Sequence, residues 1–200
     1  MKYIIGDAFK NVKDFDYILQ GCNCFNAMGG GFAYMVSKLY PAAVEADNMT
    51  IRGDKSKLGT YTIGGPIING YCQYTPGGPE SDTTQKRYEW IQSLFININR
   101  DFKGKSIAIP RIGAGIAGGD WHIISHIISQ HCPDVNITVF LWDQEYDPDM
   151  NWYYCAKDIH LDGRLIYFRG QLLDHFDKEA VEALKQLVGK PGVIELTPVK

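Results

Sequence analysis

Two runs of this chain combine residue types that hold anions. The first is Asn23-Cys24-Phe25-Asn26-Ala27-Met28-Gly29-Gly30-Gly31, and the second is Gly113-Ala114-Gly115-Ile116-Ala117-Gly118-Gly119. Glycines in series let a backbone come close to a ligand and tolerate positive φ. Successive N–H groups at the mouth of a helix attract an anion, and the helix dipole adds to the attraction. Two such loops on one rim would clamp a diphosphate from both sides. Neither run is a P-loop, because G-x-x-x-x-G-K-[ST] is absent, and this excludes nucleotide hydrolysis with a Walker lysine. Neither fits the dinucleotide fingerprint G-x-G-x-x-G with its ribose-binding acid. Taken alone, each loop fits equally well a turn that needs a flexible backbone.

The elements that must position these loops alternate between strand and helix. Tyr3–Ile5 and Tyr17–Cys22 are apolar runs that read as strands, the second leading into the first glycine cluster. Phe32–Leu39 has helical spacing and stops ahead of Pro41, and a second short helix is expected over Ala42–Asn48. Leu58–Ile63 and Pro66–Tyr74 flank Gly64-Gly65 and predict a hairpin. Thr83–Arg100 carries the apolar stripe Tyr88, Ile91, Leu94, Phe95 and Ile98 of a helix. Ser106–Ile109 is a buried strand leading into the second glycine run, Trp121–His131 is a helix, and Val135–Trp142 is a strand. The alternation predicts an α/β fold, a three-layer α/β/α sandwich with a mixed central sheet. Ligands of such sheets lie beyond the carboxyl ends of the strands, so both glycine loops belong on one rim.

The last part of the chain differs. Trp152–Leu161 and Arg164–Phe168 flank Asp162-Gly163, a hairpin signal. Asp177–Val188 is an amphipathic helix with Asp177 as its N-cap and Gly189 just past its end, and Val193–Leu196 is one more strand. The expected organisation is a core over residues 1–143 and an extension over residues 144–200, a β-hairpin and helix packing on the core. Charge divides the same way. Of 20 Lys+Arg and 23 Asp+Glu, 13 of each lie in residues 1–143, leaving 7 and 10 in the remainder, so the net −3 belongs to the extension. The acidic balance argues against a generic nucleic-acid binder, which needs surplus Lys and Arg. It does not exclude an anionic ligand held by backbone N–H groups.

No apolar run reaches the length of a membrane span, and Tyr3-Ile4-Ile5 is too short for a signal peptide, so a cytoplasmic location is expected. The five cysteines, Cys22, Cys24, Cys72, Cys132 and Cys155, are an odd set in mostly apolar segments and read as buried reduced thiols. No His/Cys set has zinc spacing and the carboxylates do not cluster, so no metal is expected.

Three motifs in order carry a resemblance. Gly6-Asp7-Ala8-Phe9, then Gly21-Cys22-Asn23-Cys24 with Met28-Gly29-Gly30-Gly31-Phe32-Ala33, then Ile109-Pro110-Arg111-Ile112-Gly113-Ala114-Gly115-Ile116 ahead of Trp121 strongly resemble the macrodomain family. The resemblance covers about residues 1–143. It implies an ADP-ribose-binding module, most like the branch that hydrolyses ADP-ribose-1″-phosphate, with no cofactor and a small-molecule ADP-ribose derivative as the partner. Nucleic acid would enter only as an ADP-ribosylated substrate. Asp7, with Ala8 beside it, matches the acid that accepts from the adenine amino group. Asn23 matches the asparagine at the distal ribose. Met28, Gly29, Gly30, Gly31 and Phe32 would approach that ribose and its 1″ substituent. Ile112, Gly113, Ala114, Gly115, Ile116 and Ala117 would surround the diphosphate. Trp142 ends the last core strand near the expected adenine, where stacking on the base is one reading and a core role, given its apolar neighbours, is the favoured one.

The catalytic groups are less determined. The protein-deacylating branch resembles this chain in the same places but has a lysine in the mid-chain loop and an aspartate in the second glycine loop. Here Gln73–Asp82 has no lysine and the aspartate's position is Ala117. The histidine that the phosphatase branch often has two residues before the Cys-Asn pair is Gln20. Asn23 and Asp120 remain as candidate catalytic residues, and for Asp120 a helix N-cap is the favoured reading. Three functions stay open: an ADP-ribose-1″-phosphate phosphatase, an ADP-ribosyl hydrolase on modified protein or nucleic acid, and a reader of ADP-ribose without turnover.

Overall fold

Short β-branched and aromatic runs become strands, and the segments between them with apolar residues three and four apart become helices. The computed structural model describes residues 1–79, 82–141, 144–145, 153–154, 159–162, 164–168, 171–187 and 194–196. In chain order these are β1 (Lys2–Ile5), β2 (Tyr17–Asn23), α1 (Gly31–Leu39), α2 (Pro41–Asn48), β3 (Tyr61–Gly64), β4 (Ile67–Gln73), α3 (Thr84–Asp101), β5 (Ser106–Ile109), α4 (Trp121–His131) and β6 (Asn136–Leu141). Then follow β7 (Gln144–Glu145), β8 (Tyr153–Tyr154), β9 (Ile159–Asp162), β10 (Leu165–Phe168), β11 (Gln171–His175), α5 (Lys178–Leu187) and β12 (Ile194–Leu196).

The main sheet has seven strands in the order β12-β1-β6-β5-β2-β4-β3. Neighbours from β1 through β4 run parallel, while β3 and β12 pair antiparallel at the two edges, so the sheet is mixed. The period-2 alternation of the strands divides their side chains between two cores. Ile18, Ile67, Ala108 and Phe140 meet Val36 of α1 and Ala43 of α2 on one face. Leu19, Ile68, Ile107, Ile109 and Val139 meet Ile91, Leu94, Phe95 and Ile98 of α3 and Trp121, Ile124 and Ile128 of α4 on the other. This is the three-layer α/β/α sandwich with a mixed sheet that the alternation predicts.

The parallel register carries the carboxyl ends of β1, β2, β4, β5 and β6 to one edge of the layers. The chain leaves β1 into Asp7, β2 into the first glycine loop and β5 into the second. Gly6 N–H donates to Leu141 O at 3.1 Å, tying the exit of β1 to that of β6.

Several boundaries differ from the sequence expectation, and strands are added. The strand expected from Leu58 begins only at Tyr61, because Lys55–Lys57 form a 3₁₀ turn in which Asp54 accepts from Ser56 N–H at 2.8 Å. β11 is an additional strand, paired with β10 through a register shift between Ile166 and Tyr167. β9 and β10 pair antiparallel about Leu165↔Asp162, as the hairpin signal requires; Gly163 itself lies outside the described residues. So do Trp142, Cys155, Gly189 and Val193. Ala180 N–H donates to Asp177 Oδ1 at 2.7 Å, the expected cap of α5. Among the described residues no helix is long and apolar enough to cross a membrane.

Candidate functional site

The first glycine loop is shaped by two asparagines. Asn23, at the end of β2, is buried, and its Oδ1 accepts from Phe25 N–H at 2.9 Å and Ala27 N–H at 3.3 Å. Its Nδ2 donates to Ala27 O at 2.7 Å, so this one side chain closes residues 23–27 on themselves. Asn26 takes a φ of +56°, the left-handed region that asparagine tolerates better than most residues. Its Nδ2 donates to Asp47 O at the end of α2 and to Thr50 Oγ1. Beneath it lies buried Lys57, whose Nζ donates to Asn26 Oδ1 at 3.1 Å and Thr50 Oγ1 at 2.6 Å. Lys57 also stands 3.9 Å from Asp47, and Tyr71 OH donates to that carboxylate at 2.8 Å. Burial raises the Asp47 pKa, while the Tyr71 hydrogen bond and the Lys57 charge hold it down.

The loop then opens into Met28–Gly31. Met28 packs on the α1-side core and its Sδ is 3.7 Å from Gln20 Nε2. Gln20 is buried, donates to Asn69 Oδ1 at 2.7 Å, and its Oε1 has no partner among the described residues. Helix α1 starts at Gly31 with φ +56°, and its N-cap, Gly30, supplies no side-chain bond. The first-turn N–H groups of such a helix have no intrahelical acceptor.

The second loop folds on its own backbone. Ala114 N–H donates to Arg111 O, Gly118 N–H to Gly115 O and Gly119 N–H to Gly113 O. Gly113 sits at φ +76°, and a Cβ there would come within 2.9 Å of Ile91 Cδ1. Among the described residues, the N–H groups of Gly113, Gly115, Ile116 and Ala117 have no acceptor in the protein. Ile112 and Ala114 turn their side chains into the α3–α4 core.

Three of the predicted segments meet. Ile116, 66% exposed, reaches across to the first loop: its Cδ1 lies 3.3 Å from where a Cβ would stand on Gly30 and 3.6 Å from that on Gly31. Among the described residues, apart from the chain neighbours, no heavy atom lies within 4 Å of the corresponding point on Gly29 or Gly115. Phe9 stacks on Phe32 at 4.5 Å between ring centroids, which brings the Asp7–Phe9 turn to the start of α1. In that turn Asp7 Oδ1 accepts from Phe9 N–H at 2.8 Å, and Ala8 is fully buried.

Asp120 stands at the far end of the second loop as the N-cap of α4, accepting from His122 N–H at 2.8 Å. Trp121 is wholly buried and donates from Nε1 to Tyr3 OH at 3.4 Å, a core residue. The thiols beside the first loop are neutral: burial pushes Cys24 up to about 11 and Cys22 well above its ordinary value.

Asn26, Lys57 and the ion pair Arg87–Asp82 escaped the sequence reading. Arg87 had a signal: it lies four residues before Ile91 on the buried stripe of α3, where a charge is out of pattern. Lys57 had none, because its burial depends on loop residues brought in from 26 and 50.

No family model matches the chain. It is 33% identical over 156 residues to an uncharacterised 17.5 kDa protein of the tk-vs intergenic region of Enterobacteria phage T4, a match spanning 72% of this chain and 97% of the phage protein. Among solved structures it resembles the macrodomain of Thermus aquaticus DarG, with a TM-score of 0.55, 18% identity, and 70% of this chain and 96% of that one covered. It also resembles Thermosipho africanus DarTG in complex with ADP-ribose, with a TM-score of 0.51 and 15% identity, over 72% of this chain and 42% of that one. Both structural likenesses are likenesses of fold.

Proposed function

The chain belongs to the family of the phage T4 17.5 kDa protein and has the macrodomain fold, and from that premise we propose that it binds ADP-ribose and hydrolyses ADP-ribose-1″-phosphate to ADP-ribose and phosphate. One observation carries the reading. The unengaged N–H groups of Gly113, Gly115, Ile116 and Ala117 and the uncapped start of α1 at Gly31 lie on adjoining loops, joined by Ile116 over Gly30 and Gly31. Backbone donors from both sides suit a diphosphate, and they require no basic composition.

In this reading Asp7 accepts from the adenine amino group through the oxygen that Phe9 N–H does not engage. Asn23 and Met28–Phe32 border the distal ribose. Water attacks the phosphorus of the 1″-phosphate, the bond from phosphorus to the 1″ oxygen breaks, and that oxygen takes up a proton. Catalysis is by positioning and by electrostatic stabilisation from fixed dipoles, which together supply several kcal/mol. Asn23 and Asp120 are the candidate catalytic side chains, and a modest rate is expected because both are engaged in local hydrogen bonds.

That engagement favours a second reading, a module that binds ADP-ribose without turnover. Calorimetry with ADP-ribose, followed by phosphorus NMR with ADP-ribose-1″-phosphate, separates the two. Binding with phosphate release supports the phosphatase. Binding without release leaves the reader. No binding removes both. Gly115→Glu places a carboxylate among the open donors and is expected to weaken ADP-ribose binding by more than about tenfold. Since its Cβ meets open space, unfolding stability should change by less than about 0.5 kcal/mol.

A further inference from the structure

Arg87 is a buried cation in the first turns of α3, and all of its donors are used. Nε donates to Asp82 Oδ1 at 2.8 Å, and Nη2 to the same oxygen at 2.5 Å and to Gly78 O at 2.9 Å. Nη1 donates to Gly77 O at 2.8 Å and to Ala117 O at 3.1 Å. A guanidinium has five N–H groups in a fixed plane, so this geometry saturates it. Asp82 in turn accepts from Tyr74 N–H through Oδ2 at 2.7 Å. One ion pair therefore joins the end of β4, the irregular chain at Gly77 and Gly78, the start of α3 and the second glycine loop. Pro79 adds a contact, with its Cδ 3.5 Å from the Cβ position of Gly118.

We propose that Arg87 is a positioning residue for the diphosphate-binding loop, acting through the carbonyl of Ala117, and that the loop after β4 and the loop after β5 move as one unit because of it. This rests on the ADP-ribose reading of the same site. The carbonyl of Ala117 is turned onto Arg87, while the N–H groups of Gly115, Ile116 and Ala117 are left without an acceptor. A loop rich in glycine has many conformations of similar energy, and holding one of its carbonyls reduces them before a ligand arrives. Preorganised donors bind an anion more tightly than donors that must first be ordered. The adenine side of the site, at Asp7, shares no bond with Arg87.

The test compares ADP-ribose with adenosine, which lacks the diphosphate, against wild type, Arg87→Lys and Arg87→Met. Lysine keeps the charge but cannot reproduce the planar fork. ADP-ribose affinity should fall about tenfold or more in Arg87→Lys and further in Arg87→Met, with adenosine affinity unchanged in both. Wild-type affinity for ADP-ribose in Arg87→Lys, or equal weakening toward both ligands, overturns the proposal. Native-state hydrogen exchange on the wild-type protein tests it without a variant that must fold. The amides of Tyr74, Gly118 and Gly119 should open in one event with a single denaturant dependence, and independent opening overturns it. Wild-type protein that binds no ADP-ribose refutes the functional reading instead, and the exchange result still decides whether the two loops are one unit.

Discussion

At Asn23 a single amide does the work of a turn. Two backbone N–H groups and one carbonyl of residues 25 and 27 are paired with it inside a loop that has no regular structure. Asn23→Ala removes all three bonds and leaves partly buried backbone groups without partners, which should cost about 1–3 kcal/mol in chemical denaturation. The residue type and its place in the Cys-Asn-Cys motif were legible in the sequence. Its partners were not, because an asparagine that bonds its own backbone and one that bonds a ligand look alike in sequence. Asp120 is the reverse case. Its position before Trp121 marked a helix cap, and it caps α4. The neutral thiols at Cys22 and Cys24 follow from their apolar neighbours, since burial disfavours the thiolate.

At the scale of elements, the helices and the parallel strands follow from periodicity, and their ends follow from caps. Thr83 Oγ1 accepts from Lys86 N–H at 3.2 Å where the sequence places the start of α3. The hairpin β3–β4 was signalled by Gly64-Gly65, yet one reason for a glycine there lies outside the hairpin. α2 crosses so close that a Cβ on Gly64 would stand 2.1 Å from Ala42 O and 2.5 Å from Ala43 Cα. Both obstacles are backbone and cannot swing aside. Gly64→Ala should therefore destabilise by about 3 kcal/mol, read from a denaturation midpoint shift at unchanged slope. The late start of β3 was not legible, because Leu58, Thr60 and Tyr61 suit a strand equally well. The 3₁₀ turn capped by Asp54 and the burial of Lys57 decided it.

At the scale of the molecule, the last third of the chain shares the core of the rest. Ile166, Leu173, Phe176, Val181 and Leu184 belong to the same buried cluster as the α3–α4 face of the sheet. Phe176 packs edge-on against Tyr3 of β1 at 5.9 Å between centroids, and β12 extends the sheet beside β1. Phe176→Ala should cost about 3–5 kcal/mol and lower the melting temperature of the whole chain in one transition. A separate transition for residues 1–141 would contradict that.

The sequence alone determined the layered α/β architecture, the two glycine loops at strand-to-helix passages and the types of group they offer. These depend on periods of two and 3.6 and on backbone freedom, which are local properties. Tertiary structure alone decided that Ile116 lies over Gly30 and Gly31 and that Lys57 is buried under Asn26. It alone decided that Arg87 binds carbonyls from two loops 39 positions apart, Gly78 and Ala117. Each of these joins residues distant in the chain, and a burial or hydrogen bond made by distant partners leaves no spacing for a sequence to display.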